Sequence, residues 1–423
     1  MKIYIISIFI LAFLGLPVAF ALGSASLIFI IFGTDLPIYI TFQRMLTGID
    51  SFPFLAIPFF ILAGNLMNKG GLTDRIIDFS RSMVGHFYGG LAAVSIVGSM
   101  IFAGVSGSSV ADASGLGSIL IPAMKKEGYD KEYSAAINAV SSTVGIIIPP
   151  SIPMILAGVA TALSIRDLFL GGAIPGIMVG LLLLVISTLI SKKRNYPKTS
   201  SFSFKNFFKT LVRAFPAIFA VIIILGGILG GIFTATEASV IAVVYAFLIG
   251  KFFYKELKLS HVPDVFKEVS ISTSIVLFII ATASITTWLL AYLGLPALLS
   301  THLPALFPTE RLMVFGLSLL FILSGTFIDV SPGVILFGPI LMPTARAAGI
   351  DPIYFSVIMV FSLAIGLFTP PVGTTLFISC YLADSSIIAT VKETIIFFLA
   401  MIFILGLIIL FPQLVTWLPS IVS

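Results

Sequence analysis

One pattern occurs twice in this 423-residue chain, once in residues 105–151 and again in residues 323–372. Each copy holds an apolar segment broken by Ser-Gly, a short return segment, and a long apolar segment broken by Gly-x-x-x-Pro-Pro. Pro122 and Pro343, Gly128 and Gly349, Asp130 and Asp351, and Tyr133 and Tyr354 are each 221 positions apart. So are Gly145 and Gly366, and Pro149-Pro150 and Pro370-Pro371. Ser106-Gly107 and Ser324-Gly325 are 218 apart, so the second copy carries three extra residues past its tip. Matched interruptions in the two halves of an apolar chain point to a binding site at membrane depth.

Hydrophobic residues make up 59% of the chain and charged residues 10%, far from the soluble norm. Many apolar runs reach the ~20 residues that cross a bilayer core. The expected fold class is an all-α polytopic membrane protein, since the alternating ten-residue segments of a β-barrel are absent. Cys380 is the only cysteine, which excludes a disulfide or a cysteine metal cluster within the chain. The basic residues sit in loops between spans, so topology explains them better than nucleic acid does. Lys2, an apolar run and Ala19-Phe20-Ala21 form a pattern like a signal peptide. The apolar pattern runs on through Phe32 and has a counterpart in the second half, so we expect this segment to be retained.

Two repeats organise the chain. Residues 1–190 form the first, with scaffold spans in 3–68, a hairpin in 87–124 and a broken helix in 133–160. Residues 191–213 form a basic linker, in which Phe and Leu alternate with Lys at helical spacing, as in a helix lying on the membrane surface. Residues 214–423 repeat the plan, with scaffold spans in 214–291, a hairpin in 311–343 and a broken helix in 354–380. If each Ser-Gly segment is a re-entrant hairpin, loops 69–86, 125–132, 191–213, 251–269 and 381–393 share one face. They hold 18 of the 23 Lys and Arg residues, leaving Lys2, Arg44, Arg166, Arg311 and Arg346 on the other. The positive-inside rule makes the rich face cytoplasmic and the repeats inverted.

Irregular backbone is tolerated at membrane depth only where protein or a watery cavity surrounds it. Broken-helix C-termini and unwound carbonyls suit Na⁺, and helix N-termini suit an anion. We therefore expect two equivalent cation sites, one per repeat. Ser106, Gly107, Ser108, Gly145, Ile148 and Pro149 would build the first. Ser324, Gly325, Thr326, Gly366, Thr369 and Pro370 would build the second. The hydroxyls supply oxygens, the glycines allow close approach, and the prolines leave upstream carbonyls without a donor. Ser109 adds a further hydroxyl at the first tip. Asp112 and Asp329 follow the tips. Each reads either as an intramembrane functional carboxylate or as an acid capping a hairpin helix. Asn138 could face the cavity or hold helices together. Glu237 reads as scaffold. His86, His261 and His302 form no constellation, and no enzymatic motif is present.

The Ser-Gly-Ser-Ser-x-Ala-Asp tip, the GIIIPPS and GLFTPPVG breaks and the overall length resemble the large membrane subunit of tripartite ATP-independent periplasmic (TRAP) transporters. The resemblance covers essentially the whole chain. It implies a multi-pass protein of the bacterial inner membrane, working as an elevator in which a bundle moves against a scaffold. It implies Na⁺ as the coupling ion and an organic acid as the substrate. It also implies two protein partners, a small membrane subunit and a periplasmic substrate-binding protein. With no buried arginine in either motif, Ser108, Asp112, Ser151, Thr326, Asp329, Thr374 and Thr375 are the expected substrate contacts. The resemblance leans towards N-acetylneuraminate. A C4-dicarboxylate TRAP permease, a Na⁺/dicarboxylate symporter that needs no binding protein, and a non-transporting scaffold are the alternatives.

Overall fold

The computed structural model describes residues 1–422. Among them the regular elements are all helical. Among the described residues, seven helices are long and apolar enough to cross a membrane: Phe52–Lys69, Ile165–Lys193, Phe204–Leu229, Ala235–Phe253, Leu259–Tyr292, Val330–Ala347 and Ile387–Leu410. The pair Leu295–Leu306 and Glu310–Gly325, bent by 118°, passes the same test of length and composition together.

Helices end where the repeated motifs interrupt the sequence. Gly90–Ser106 stops at Gly107, whose φ of +57° is left-handed backbone open to glycine. Ser108 starts the return helix Ser109–Lys126, its hydroxyl accepting from the Ala111 amide at 3.4 Å. In the second copy Glu310–Gly325 turns into Val330–Ala347 through Asp329, whose carboxylate accepts from the Ser331 amide at 3.3 Å. Two residues, Gly107 and Ser108, separate the first pair of helices; four, Thr326–Asp329, separate the second. Both return helices still begin and end 221 positions apart. The long apolar segments split into Lys131–Val144 with Ile152–Thr161 and Pro352–Gly366 with Thr374–Ala383. The Pro149-Pro150 and Pro370-Pro371 bonds are both cis.

The two copies interlock. Lys131–Val144 packs against Thr374–Ala383, and Ile152–Thr161 against Val330–Ala347. Asn138 fastens the first of these contacts, donating to the Ala113 carbonyl at 2.9 Å and to Ser379 Oγ at 2.8 Å. It therefore holds helices together. Lys125 and Lys131 reach across to the carbonyls of Ala383 and Asp384 at 3.0 and 2.9 Å, placing positive charge at the C-terminus of that half-helix.

A second group of helices flanks this body. Phe52–Lys69 packs on Ala235–Leu248, while Val262–Tyr292 contacts Val18–Gly33, Tyr39–Ile49 and Val330–Ala347. Glu237 closes a capping box with Thr234, accepting its amide at 2.8 Å, which fits a structural role. Two connections differ from the sequence expectation. The amphipathic stretch after residue 203 continues unbroken into the span as Phe204–Leu229, and residues 262–292 form one helix. In the first half the equivalent stretch is divided between Tyr39–Ile49 and Phe52–Lys69. Pro53, which has no amide to donate, stands at that division; the matching position in the second half is Ser274.

Candidate functional site

Each tip is tied to its own broken helix by the same backbone bond. The Gly107 carbonyl accepts from the Ile152 amide at 3.2 Å, and the Thr326 carbonyl from the Gly373 amide at 3.1 Å. Ile152 and Gly373 are themselves 221 apart. The carbonyls just past the breaks match too. Ile146 is capped by Ser151 Oγ at 2.5 Å, and Leu367 by Thr375 Oγ1 at 2.9 Å. These two upstream carbonyls are thus partly satisfied by the chain itself, because a hydroxyl follows each Pro-Pro pair closely enough to turn back onto it.

Around this shared frame the two sites differ. At the first, Ser106 Oγ donates to Asp112 Oδ1 at 2.5 Å and accepts from the Ser108 amide at 3.4 Å. Asp112 is fully buried and its Oδ2 has no hydrogen-bond partner. That oxygen faces Gly145, where a Cβ would overlap it. Ile148 packs on Gly176, and Pro149 and Pro150 are buried. At the second, Gly366 meets the Gly325 backbone too closely for any Cβ, and Gly325 lies on the Leu363 carbonyl. Thr326 Oγ1 donates to Leu323 at 2.8 Å and Thr369 Oγ1 to Ile365 at 2.6 Å. Ser324 is half-buried, with its carbonyl accepting from Phe327 and Ile328. The unpartnered buried oxygen here is Thr374 Oγ1, and Pro370 and Pro371 are exposed. One site is closed around a carboxylate; the other is built of hydroxyls and carbonyls and lies nearer the surface. The equivalence expected from the motifs extends to the frame and not to the side chains around it. The reason is that position 333, the counterpart of Asp112, is glycine.

A cavity of about 710 Å³ lies between the tips and the flanking helices. Ser106, Gly107, Ser108, Ser109 and Asp329 line it; Asp112, Ser151, Thr326, Thr374 and Thr375 are not among its lining residues. Asp112 instead joins the buried group around Ser106 and Gly145. The opposite wall comes from residues that the motifs do not contain: Asn65 and Asn68 on one helix, Glu268 and Ser272 on another. Polar residues three and four apart inside apolar spans were the sequence signal for them. Lys69 and Glu268 pair across this wall at 3.7 Å. Asp329 and Glu268 are the charged side chains lining the cavity among the described residues.

Interlocked broken helices beside a largely apolar cavity that carries a few polar groups, within an apolar helical protein, are the architecture of a polytopic membrane protein. The fold is similar to that of the Alcanivorax borkumensis YdaH transporter, with a TM-score of 0.61 over 88% of this chain and 87% of that one at 14% identity. The chain belongs to the family described as "Tripartite ATP-independent periplasmic transporter, DctM component", whose profile matches residues 5–414. It is 36% identical to the sialic acid TRAP transporter large permease SiaM of Vibrio cholerae, over 97% of this chain and 96% of that protein. It is 37% identical to the C4-dicarboxylate TRAP transporter large permease DctM of the same organism, over 96% and 94%. The protein is therefore a multi-span permease of the inner membrane in a tripartite transport family.

Proposed function

We propose that this chain is the Na⁺-coupled membrane permease of a TRAP importer, taking an organic acid from a periplasmic binding protein and working beside a small membrane subunit. The observation that carries the coupling is the buried, unpartnered Asp112 Oδ2, held between Ser106 and bare backbone at Gly145. An unpartnered buried carboxylate oxygen beside a helix break suits a coupling cation such as Na⁺. Asp112 is thereby a cation ligand rather than a substrate contact. Thr374 Oγ1, the Thr326 and Thr369 hydroxyls and the carbonyls around Gly366 would hold a second Na⁺. The cavity beside both tips would take the substrate, with the helix N-termini at Ser108 and Asp329 facing its anionic group. Two cations would offset the anion's charge and let a negative-inside potential assist uptake by about 2.3 kcal/mol per net charge per 100 mV. The interlocked helices would move together as an elevator past Val262–Tyr292.

The cavity favours a hydroxyl-rich monocarboxylate, such as N-acetylneuraminate, over a dicarboxylate. The Asn65, Asn68, Ser272 and Asp329 side chains on its lining offer hydrogen-bond partners to substrate hydroxyls. Similarity to both SiaM and DctM supports either substrate class, and the C4-dicarboxylate reading is the alternative. The test is uptake into proteoliposomes holding the permease, small subunit and binding protein, with and without an inward Na⁺ gradient. Uptake that ignores Na⁺ removes the coupling. Uptake by the permease without its binding protein favours an independent symporter. Stronger competition by succinate than by N-acetylneuraminate favours the dicarboxylate.

A further inference from the structure

Two basic, aromatic segments far apart in sequence form one surface. The first is the start of helix Phe204–Leu229, where Phe204, Phe208 and Val212 stand exposed in a stripe beside Lys205, Lys209 and Arg213. The second is the turn after Ala235–Leu248, where Phe252 and Phe253 are exposed beside Lys251, Lys255 and Lys258. Tyr254 joins them, its hydroxyl donating to the Arg213 carbonyl at 2.7 Å. The acid within the second segment, Glu256, is already spent: Arg75 binds it at 2.6 Å and lies over the Tyr254 ring at 3.9 Å. None of the six cations makes a salt bridge among the described residues.

We propose that this shelf is a binding site for the headgroups of anionic phospholipids. Aromatic rings at the membrane interface and uncompensated Lys and Arg beside them match the two ends of such a lipid, the acyl boundary and the phosphate. Pairing of Glu256 with Arg75 leaves Lys and Arg in excess on this surface, with Asp74 and Asp78 of the neighbouring helix as the nearby acids. The shelf belongs to the flanking helices, where Gly250 packs on Gly70 next to Lys69, the ion-pair partner of Glu268 on the cavity wall. Acidic lipid would thus fix the flanking helices at the bilayer surface. This inference rests on the membrane reading of the fold and not on Na⁺ coupling.

The experiment is native mass spectrometry of the purified permease with its small subunit. Palmitoyl-oleoyl phosphatidylglycerol is titrated against the phosphatidylcholine of the same chains. Retention of phosphatidylglycerol at least about tenfold better is expected from several basic contacts. That preference should be lost in a variant carrying Lys205→Gln, Lys209→Gln, Lys255→Gln and Lys258→Gln, and kept when the same positions become Arg. A thermal melt in phosphatidylcholine checks that the Gln variant is folded. Equal retention of both lipids overturns the proposal, as does an undiminished preference in the folded Gln variant. Inorganic phosphate that displaces the lipid at equal concentration would show a free-phosphate site and overturn it too. Photo-cross-linking from Phe208 or Phe252 to the small subunit would overturn it by assigning the shelf to a protein interface.

Discussion

Gly145 presents bare backbone to Asp112 Oδ2, at a spot where any Cβ would overlap that oxygen. Gly145→Ala must therefore push the carboxylate away from the tip or move the broken helix. Overpacking of this sort costs about 1–3 kcal/mol. We expect Na⁺-driven uptake to fall at least about tenfold and Na⁺ to stop raising the melting temperature. Asp112→Asn should remove the same Na⁺ response. A Na⁺-dependent melting shift surviving in both variants would show that the cation binds elsewhere.

Ser106 and Thr369 should not behave alike. Ser106→Ala takes a hydrogen bond from a buried carboxylate, where such bonds contribute about 1.5–3 kcal/mol, while Thr369→Ala releases a neutral bond to Ile365 of about 0.5–1.5 kcal/mol. Initial uptake rates against Na⁺ concentration should show a larger rise in half-saturation for Ser106→Ala. Equal shifts would mean that the two sites are more alike than their ligands suggest. A wild-type Hill coefficient near one would count against two coupled cations.

Asn138→Ala should act on stability alone. It leaves the Ala113 carbonyl and Ser379 hydroxyl without their buried donor, a loss of about 1–3 kcal/mol. The melting temperature should drop, with the Na⁺ concentration for half-maximal uptake unchanged. A changed Na⁺ response would place Asn138 in the transport site.

Asp74 offers a test by pH. It sits in Leu72–Val84, where burial first, then Glu256 and Asp78, raise its pKa above the usual value of 3.8. A raised carboxyl pKa contributes stability below the unfolded value, and that contribution is lost as pH rises through the folded value. Asp74→Asn should therefore melt higher than wild type at neutral pH, with the gain shrinking as the medium is acidified towards 3.8. A gain that grows on acidification would reverse the sign.

Orientation can be read with an impermeant thiol reagent. In a Cys380→Ser background, a cysteine at Ala347 should label in intact cells and one at Lys198 should not. This follows from the 18-to-5 division of basic residues. Labelling at 198 alone would invert the topology.

The helical membrane class and the family were legible because composition and the paired Ser-Gly and Pro-Pro breaks are properties of the chain itself. Helix ends fall at Gly107, Gly145 and Gly366, where the sequence marks them. The inequality of the two sites was hidden, although its cause is visible in retrospect as Gly333 opposite Asp112. Hydroxyl direction also could not be read: Thr369 and Ser151 turn to local carbonyls, a choice made by backbone geometry at the break. The opposite wall of the cavity was missed because Asn65 and Glu268 are 203 positions apart. Only the packed helices bring them to one space.

The crossing of the two repeats constrains how such a permease can be recombined. A chimaera spliced in the linker near residue 200, with its second half from a relative, would join half-helices that never evolved together. Lys125 and Lys131 bind backbone carbonyls at Ala383 and Asp384 and would tolerate the exchange. Asn138 needs a hydroxyl at position 379 and would not tolerate its loss. Functional exchange between relatives should therefore succeed when Lys131–Val144 and Thr374–Ala383 travel as one cassette, and fail when the gene is simply cut in two.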